Sequence, residues 1–202
     1  MVVEKKTKAK ARGAEIKITK EFKEALRLME KTKENLFITG KAGTGKSTLL
    51  KYFCEHTSKN LVVLAPTGVA AINIGGMTLH SFFQFPFGVV EEKDVKYLFN
   101  KQEIFRSLET LIIDEISMLH DYRLDMVDEV CRQVRGKSEV PFGGLQVILS
   151  GDFFQLPPVN RNESKQGGFV INSKAWEELD PAVCYLEEQH RQEDDELLEI
   201  LT

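Results

Sequence analysis

Gly40-Lys41-Ala42-Gly43-Thr44-Gly45-Lys46-Ser47 decides how this chain folds. The stretch fits the pattern G-x-x-x-x-G-K-[ST], a phosphate-binding loop. Its flanks agree with that reading. Asn35-Leu36-Phe37-Ile38-Thr39 reads as a short buried strand, and Lys46 to Ser58 reads as a helix with Leu49, Leu50 and Phe53 on one side. Glycines let the backbone curl until several N–H groups point inward at phosphate oxygens. The free N–H groups and the dipole of the helix start favour the same anion. The nucleotide-binding set is therefore Gly40, Ala42, Gly43, Thr44, Gly45, Lys46, Ser47 and Thr48. Lys46 is placed to reach the β- and γ-phosphates, and Ser47 to hold Mg²⁺ through its hydroxyl.

Further strands alternate with helical stretches on either side. Thr19 reads as an N-cap, with Phe22, Ala25, Leu26 and Met29 recurring behind it at helical spacing. Leu61–Ala65 is a second buried strand and runs into Pro66-Thr67-Gly68-Val69-Ala70-Ala71, the start of another helix. A loop over Phe85–Val90 and a helical segment over Asp94–Leu108 precede a third strand, Leu111–Glu115. Met118–Arg135 reads as one long amphipathic helix, and Pro141–Gly144 as a break. Gln146–Leu149 and Val183–Leu186 complete a parallel sheet of about five strands with helices on both faces. In such sheets ligands sit at the carboxyl ends of the strands. Lys46, Thr67, Asp114, Glu115, Asp152 and Gln155 all follow a strand directly.

Asp114 fits the acidic residue that holds Mg²⁺ through water, opposite Ser47. Glu115 is placed to polarise a water that attacks the γ-phosphate. Two adjacent carboxylates at a buried strand end are costly without a metal or cationic partner. Gln155, in the rigid turn Gly151–Pro158, can contact either the γ-phosphate or the attacking water, because an amide both donates and accepts. Thr67, Gly68, Val69, His80, Ser81 and Phe82 form a candidate nucleic-acid surface: hydroxyls and helix-start N–H groups suit phosphates, and rings stack on bases. The same aromatics equally suit a core with a satisfied histidine.

With 202 residues and a net charge of -4, composition is that of an ordinary globular protein long enough to bury a sizeable core. Cys54, Cys131 and Cys184 fit neither a metal site nor a disulfide framework, which suggests a reducing compartment inside the cell. No apolar run approaches a membrane span, and the N-terminus lacks a signal-peptide core. Lys5, Lys6, Lys8, Lys10 and Arg12 mark residues 1–18 as a basic, disordered arm.

These motifs together resemble the first motor domain of the PIF (petite integration frequency) helicase family, in helicase superfamily one. The residues that carry the resemblance are Gly40–Ser47, Ala65–Ala71, Thr78–Phe83, Leu111–Met118, Pro141–Gly144, Gly151–Val159 and Glu188–Gln192. The resemblance implies a RecA-like P-loop fold, ATP with Mg²⁺, single-stranded DNA as the track, 5′-to-3′ movement, and Arg191 facing the γ-phosphate. It places the motor domain at residues 19–192 and the start of a connection to a second RecA-like domain at 193–202. On that reading the chain is a monomeric motor-domain fragment, weakly active and unable to unwind by itself. Its compartment would be the cytoplasm of a prokaryote, or the nucleus or mitochondrion of a eukaryote. One departure concerns the base: Glu21-Phe22 stands where the family usually has a Gln that reads adenine. Other readings are a stand-alone regulatory ATPase that binds a protein, a small-molecule kinase, or a RecD-like or relaxase-fused helicase.

Overall fold

The computed structural model describes residues 19–85, 102–159 and 167–187. Six strands form one parallel sheet in the order β3-β2-β4-β5-β1-β6. They are β1 (Leu36–Thr39), β2 (Leu61–Ala65), β3 (Met77–Thr78), β4 (Thr110–Ile113), β5 (Gln146–Ser150) and β6 (Ala182–Tyr185). The helices are α1 (Lys20–Lys31), α2 (Lys46–His56), α3 (Gly68–Ile74), α4 (Leu79–Phe83), α5 (Gln102–Ser107), α6 (Asp121–Arg135) and α7 (Lys174–Leu179). None of the described helices is long and apolar enough to cross a membrane.

Strand side chains alternate between two cores, as the pleat demands. Leu36, Ile38, Ile112 and Ile148 pack with α1, α2 and Ile74 of α3. Phe37, Leu111, Ile113, Val147 and Leu149 pack with α4, α5, α6 and α7 on the other face. Burial on both faces explains why these strands read as unbroken apolar runs. The amino-terminal edge is closed by a satisfied polar plug. Gln146 accepts from Lys59 Nζ and Thr110 Oγ1, and donates to the carbonyls of Leu28 and Glu34.

Most predicted elements form where expected. Thr19 caps α1 by accepting from the Phe22 N–H at 3.2 Å. Two differences have physical reasons. The sheet has six strands, not five, because β3 is only two residues long and too short to give a pattern. The expected helix from Met118 is broken: Ile116–Met118 is a tight 3-10 turn, and α6 starts at Asp121 behind His120. Of the helix expected over Asp94–Leu108, only α5 falls within the described residues. Arg191, the Glu188–Gln192 motif, the basic arm, the acidic tail and most of the Phe85–Val90 loop also lie outside them.

Candidate nucleotide site

Three neighbouring strands deliver the site. β1 and β4 flank β5 in register, Leu36 opposite Ile148 and Ile113 opposite Leu149. The segments leaving their carboxyl ends, Gly40–Ser47, Asp114-Glu115 and Gly151–Gln155, therefore meet at one edge of the sheet. This is where ligands bind in open parallel sheets.

The phosphate loop has the backbone that its sequence requires. Gly40 has φ 147° and touches the chain beyond β6: a Cβ there would collide with the Leu186 carbonyl and the Thr44 hydroxyl. Gly45 caps α2 at φ 90°, a left-handed conformation that favours glycine. Thr44 is buried and folds back, its N–H and hydroxyl both donating to the Lys41 carbonyl. Lys46 Nζ lies inside the loop and donates to the carbonyls of Gly40 (2.6 Å) and Lys41 (3.0 Å). Ala42 is exposed and Ser47 opens outward, while Gly43 and Thr48 are half-buried.

Acidic groups face that lysine. Burial pushes the Lys46 pKa down, and the charges of Asp152, Glu115 and Asp114, in that order, push it back. Burial pushes the Asp114 carboxyl up, against the Glu115 backbone N–H, Lys46 and Ser47. Glu115 is also raised, first by burial and then by the charge of Asp114. Glu115 sits at φ 52°, ψ 44°. A non-glycine residue held in the left-handed region stores strain of order 1–3 kcal/mol, a cost that recurs at functional sites. Ser47 Oγ lies 3.5 Å from Asp114 Oδ2. That spacing is long for a direct hydrogen bond and leaves the two oxygens free to share a hard cation. Among the described residues no cluster of three or more His, Cys, Asp or Glu could hold a metal ion.

Gln155 is exposed, and its amide nitrogen donates to Asp152 Oδ2 at 2.9 Å. Asp152 is 8% exposed, and the sequence assigned it no role. Its spacing from Gln155 was the available signal, because a carboxylate three residues ahead can brace a turn.

The candidate nucleic-acid surface divides. Thr67 caps α3 by accepting from the Ala70 N–H, and Thr78 caps α4 by accepting from the Ser81 N–H. Gly68, Val69 and Ser81 are exposed and His80 is half-buried. Phe82 is a correction. It is 5% exposed, packs edge-on against Phe83 and tilted against Phe105, and belongs to the core. Its ring is unavailable for stacking on a base. Phe22 is likewise 1% exposed and packs against Tyr52.

A six-stranded parallel sheet with this loop, lysine and carboxylate pair at its carboxyl edge defines a P-loop NTPase domain of RecA-like fold. Comparison with known proteins narrows the class. The PIF1-like helicase family model matches residues 17–200, and the chain belongs to that family. It is 41% identical over 174 residues to the ATP-dependent DNA helicase Pif1 of Psychrobacter sp., covering 82% of this chain and 26% of the relative. It is 39% identical over 199 residues to the PIF1 helicase of Saccharomyces cerevisiae, covering 91% and 23%. A Pif1 helicase from Bacteroides, solved with ADP-AlF3 and single-stranded DNA, superposes with TM-score 0.83 at 40% identity, covering 93% of this chain and 46% of that one. The chain thus spans about a quarter of these curated relatives and just under half of the solved chain.

Proposed function

We propose that this chain is the ATP-binding and ATP-hydrolysing motor domain of a DNA helicase that moves 5′ to 3′ on single-stranded DNA, in replication, recombination or repair. The observation that carries the proposal is the meeting of Lys46, Ser47, Asp114, Glu115 and Gln155 at one edge of the sheet. The relatives named as ATP-dependent DNA helicases, and the related structure that holds both a nucleotide analogue and single-stranded DNA, support it.

ATP would lie with its phosphates along Gly40–Thr48. Lys46 would exchange its two loop carbonyls for β- and γ-phosphate oxygens. Ser47 would hold Mg²⁺ through its hydroxyl and Asp114 through water, and the ion neutralises phosphate charge when bound. Asp114 presents oxygen to a hard cation, and its burial cost falls when one is there. Glu115 would accept hydrogen-bonding from the attacking water and draw off its proton, and a carboxyl with a raised pKa is a better base for that step. Arg191 would face the γ-phosphate. It follows Leu186 by five residues, a reach of at most roughly 18 Å for an extended chain. Leu186 itself is bonded to Thr39 beside the loop, at 2.8 Å.

Single-stranded DNA would cross the surface of Thr67, Gly68, Val69, His80 and Ser81, mostly through its backbone. A second RecA-like domain of the full-length protein would complete the grip, and the fragment itself would be monomeric. All three cysteines are free, which fits a reducing compartment. Steady-state ATP hydrolysis by the full-length protein, with and without single-stranded DNA, tests the reading. Stimulation that weakens as salt rises supports a DNA motor. Hydrolysis indifferent to DNA and stimulated by a protein partner favours a regulatory ATPase instead.

A further inference from the structure

Among the described residues, two buried side-chain hydroxyls have no hydrogen-bond partner, those of Ser117 and Ser150. Ser150, 0% exposed, ends β5 beside the nucleotide site. One step beyond the paired Ile113 and Leu149, Asp114 and Ser150 come opposite each other on neighbouring strands. Their side chains share a face of the sheet, because Ser150 pairs with Ile38 of the α2 core and Asp114 reaches Ser47 of α2. Paired strands lie about 4.8 Å apart, so this hydroxyl and this carboxylate are neighbours.

A hydroxyl sealed away from water without a partner carries a burial cost that an alanine would not. The backbone cannot move to relieve it. β5 is paired on both sides, with β4 and β1. The next residue, Gly151, is pressed against the turn after β4: a Cβ there would meet Ile116 Cγ2 at 2.9 Å and the Ile116 N at 3.0 Å. Only the side-chain torsion of Ser150 is left to change, and the acceptor across the strand gap is the Asp114 carboxylate.

We propose that Ser150 is a positioning residue for the cation site: its hydroxyl turns to donate to the Asp114 carboxylate when Mg²⁺ and nucleotide bind, and so fixes the carboxylate facing the cation. The proposal rests on the ATP-binding reading above and gives Asp114 a partner within this chain. A carboxylate only accepts, so the oxygen turned away from the cation needs a donor. At metal sites such outer donors orient the acidic groups and set how tightly the ion is held. The free protein leaves this bond open, and the loaded protein closes it.

The two states give Ser150→Ala effects of opposite sign. In protein free of nucleotide and Mg²⁺ the variant loses an unpaired hydroxyl, so its melting temperature should hold or rise, by up to about 2–4 °C. In the loaded protein it loses a working bond. The Mg²⁺ concentration at half-maximal binding of a fluorescent ATP analogue should then rise about tenfold, the lower end of what an outer partner is worth to a metal site. Ser150→Thr keeps the hydroxyl and forces a methyl group into a filled core. It should melt below the parent and keep the parent's Mg²⁺ midpoint. A hydroxyl of merely structural worth would move stability and Mg²⁺ dependence together. In an Asp114→Ala background, Ser150→Ala should add no further loss, since it acts through Asp114.

A Ser150→Ala midpoint within about twofold of the parent would overturn the proposal, as would losses that multiply in the double variant. So would a Ser150→Ala protein that melts well below the parent before any ligand is added, because its hydroxyl would then be bonded in the free protein already. Failure of the underlying reading looks different: analogue binding by the parent that ignores Mg²⁺ removes the cation shared by Ser47 and Asp114, and Ser150's role with it.

Discussion

Ser47 Oγ and Asp114 Oδ2 lie 3.5 Å apart although 67 positions separate them in the chain. One leaves the phosphate loop after β1 and the other leaves β4, with β5 between those strands. The pair makes a metal prediction. Ser47→Ala and Asp114→Ala should each raise the Mg²⁺ concentration needed for nucleotide binding by about tenfold, roughly one charge-assisted contact. Because both would act through one ion, the double variant should cost less than the product of the two. Magnesium titrations of analogue binding measure this, and fully multiplicative losses contradict a shared cation.

Asp114 also sets a pH dependence. Its pKa is raised by burial, so just above the ordinary aspartate range the native protein keeps a proton that the unfolded chain has released. Stability of the nucleotide-free protein should therefore fall as pH rises through that window. Glu115 shifts in the same direction and adds to the fall. Asp114→Asn removes the buried charge and should raise the melting temperature at neutral pH. For a domain of this size about 1 kcal/mol corresponds to roughly 2–4 °C. Melts from acid to neutral pH decide it, and a variant less stable than the parent throughout contradicts the sign.

His80 and Phe82 should separate cleanly. Phe82→Ala opens a cavity beside Phe83 and Phe105 and should destabilise by about 3–5 kcal/mol. His80→Ala should leave the melt nearly unchanged while weakening single-stranded DNA binding. Thermal melts beside fluorescence-anisotropy binding check both. A Phe82→Ala protein that melts like the parent but loses DNA would restore the ring to the DNA surface.

What the sequence disclosed follows from how local each signal is. The phosphate loop, the Thr19 cap and the carboxylates after β4 are written in adjacent residues, and they fold as read. The Thr78–Phe83 stretch was ambiguous because a half-buried His80 and buried Phe82 and Phe83 share it. Leu79 and Phe82 at helical spacing already marked the buried side. Least legible was the acidic row of α6. Asp121, Asp125 and Asp128 look like a solvated face, yet they accept backbone N–H groups from Gly168, Ala175 and Phe142 respectively. Those partners lie far along the chain, so no local pattern announces them. Phe142, at φ 50°, is held in its left-handed turn by Asp128 and by Arg135, which donates to the Gly143 carbonyl.

That brace is testable as well. Asp128→Ala leaves the buried Phe142 N–H without its acceptor and should cost about 1–3 kcal/mol. It also strips Arg132 of its bond to Asp128 while leaving the one to Glu178. Urea unfolding would report the loss, and a midpoint unchanged from the parent would mean that the turn holds without α6.

The most direct test of the nucleotide site is an equilibrium titration of a fluorescent ATP analogue, with Mg²⁺, into the parent, Lys46→Ala and Glu115→Gln. On this account Lys46 would face the phosphates, so its removal should weaken binding by roughly 10- to 100-fold, the worth of a hydrogen bond to a charged group. On the same account Glu115 would act on the water, so Glu115→Gln should bind within about twofold of the parent while its turnover collapses. Unchanged affinity in Lys46→Ala would contradict the account at its centre.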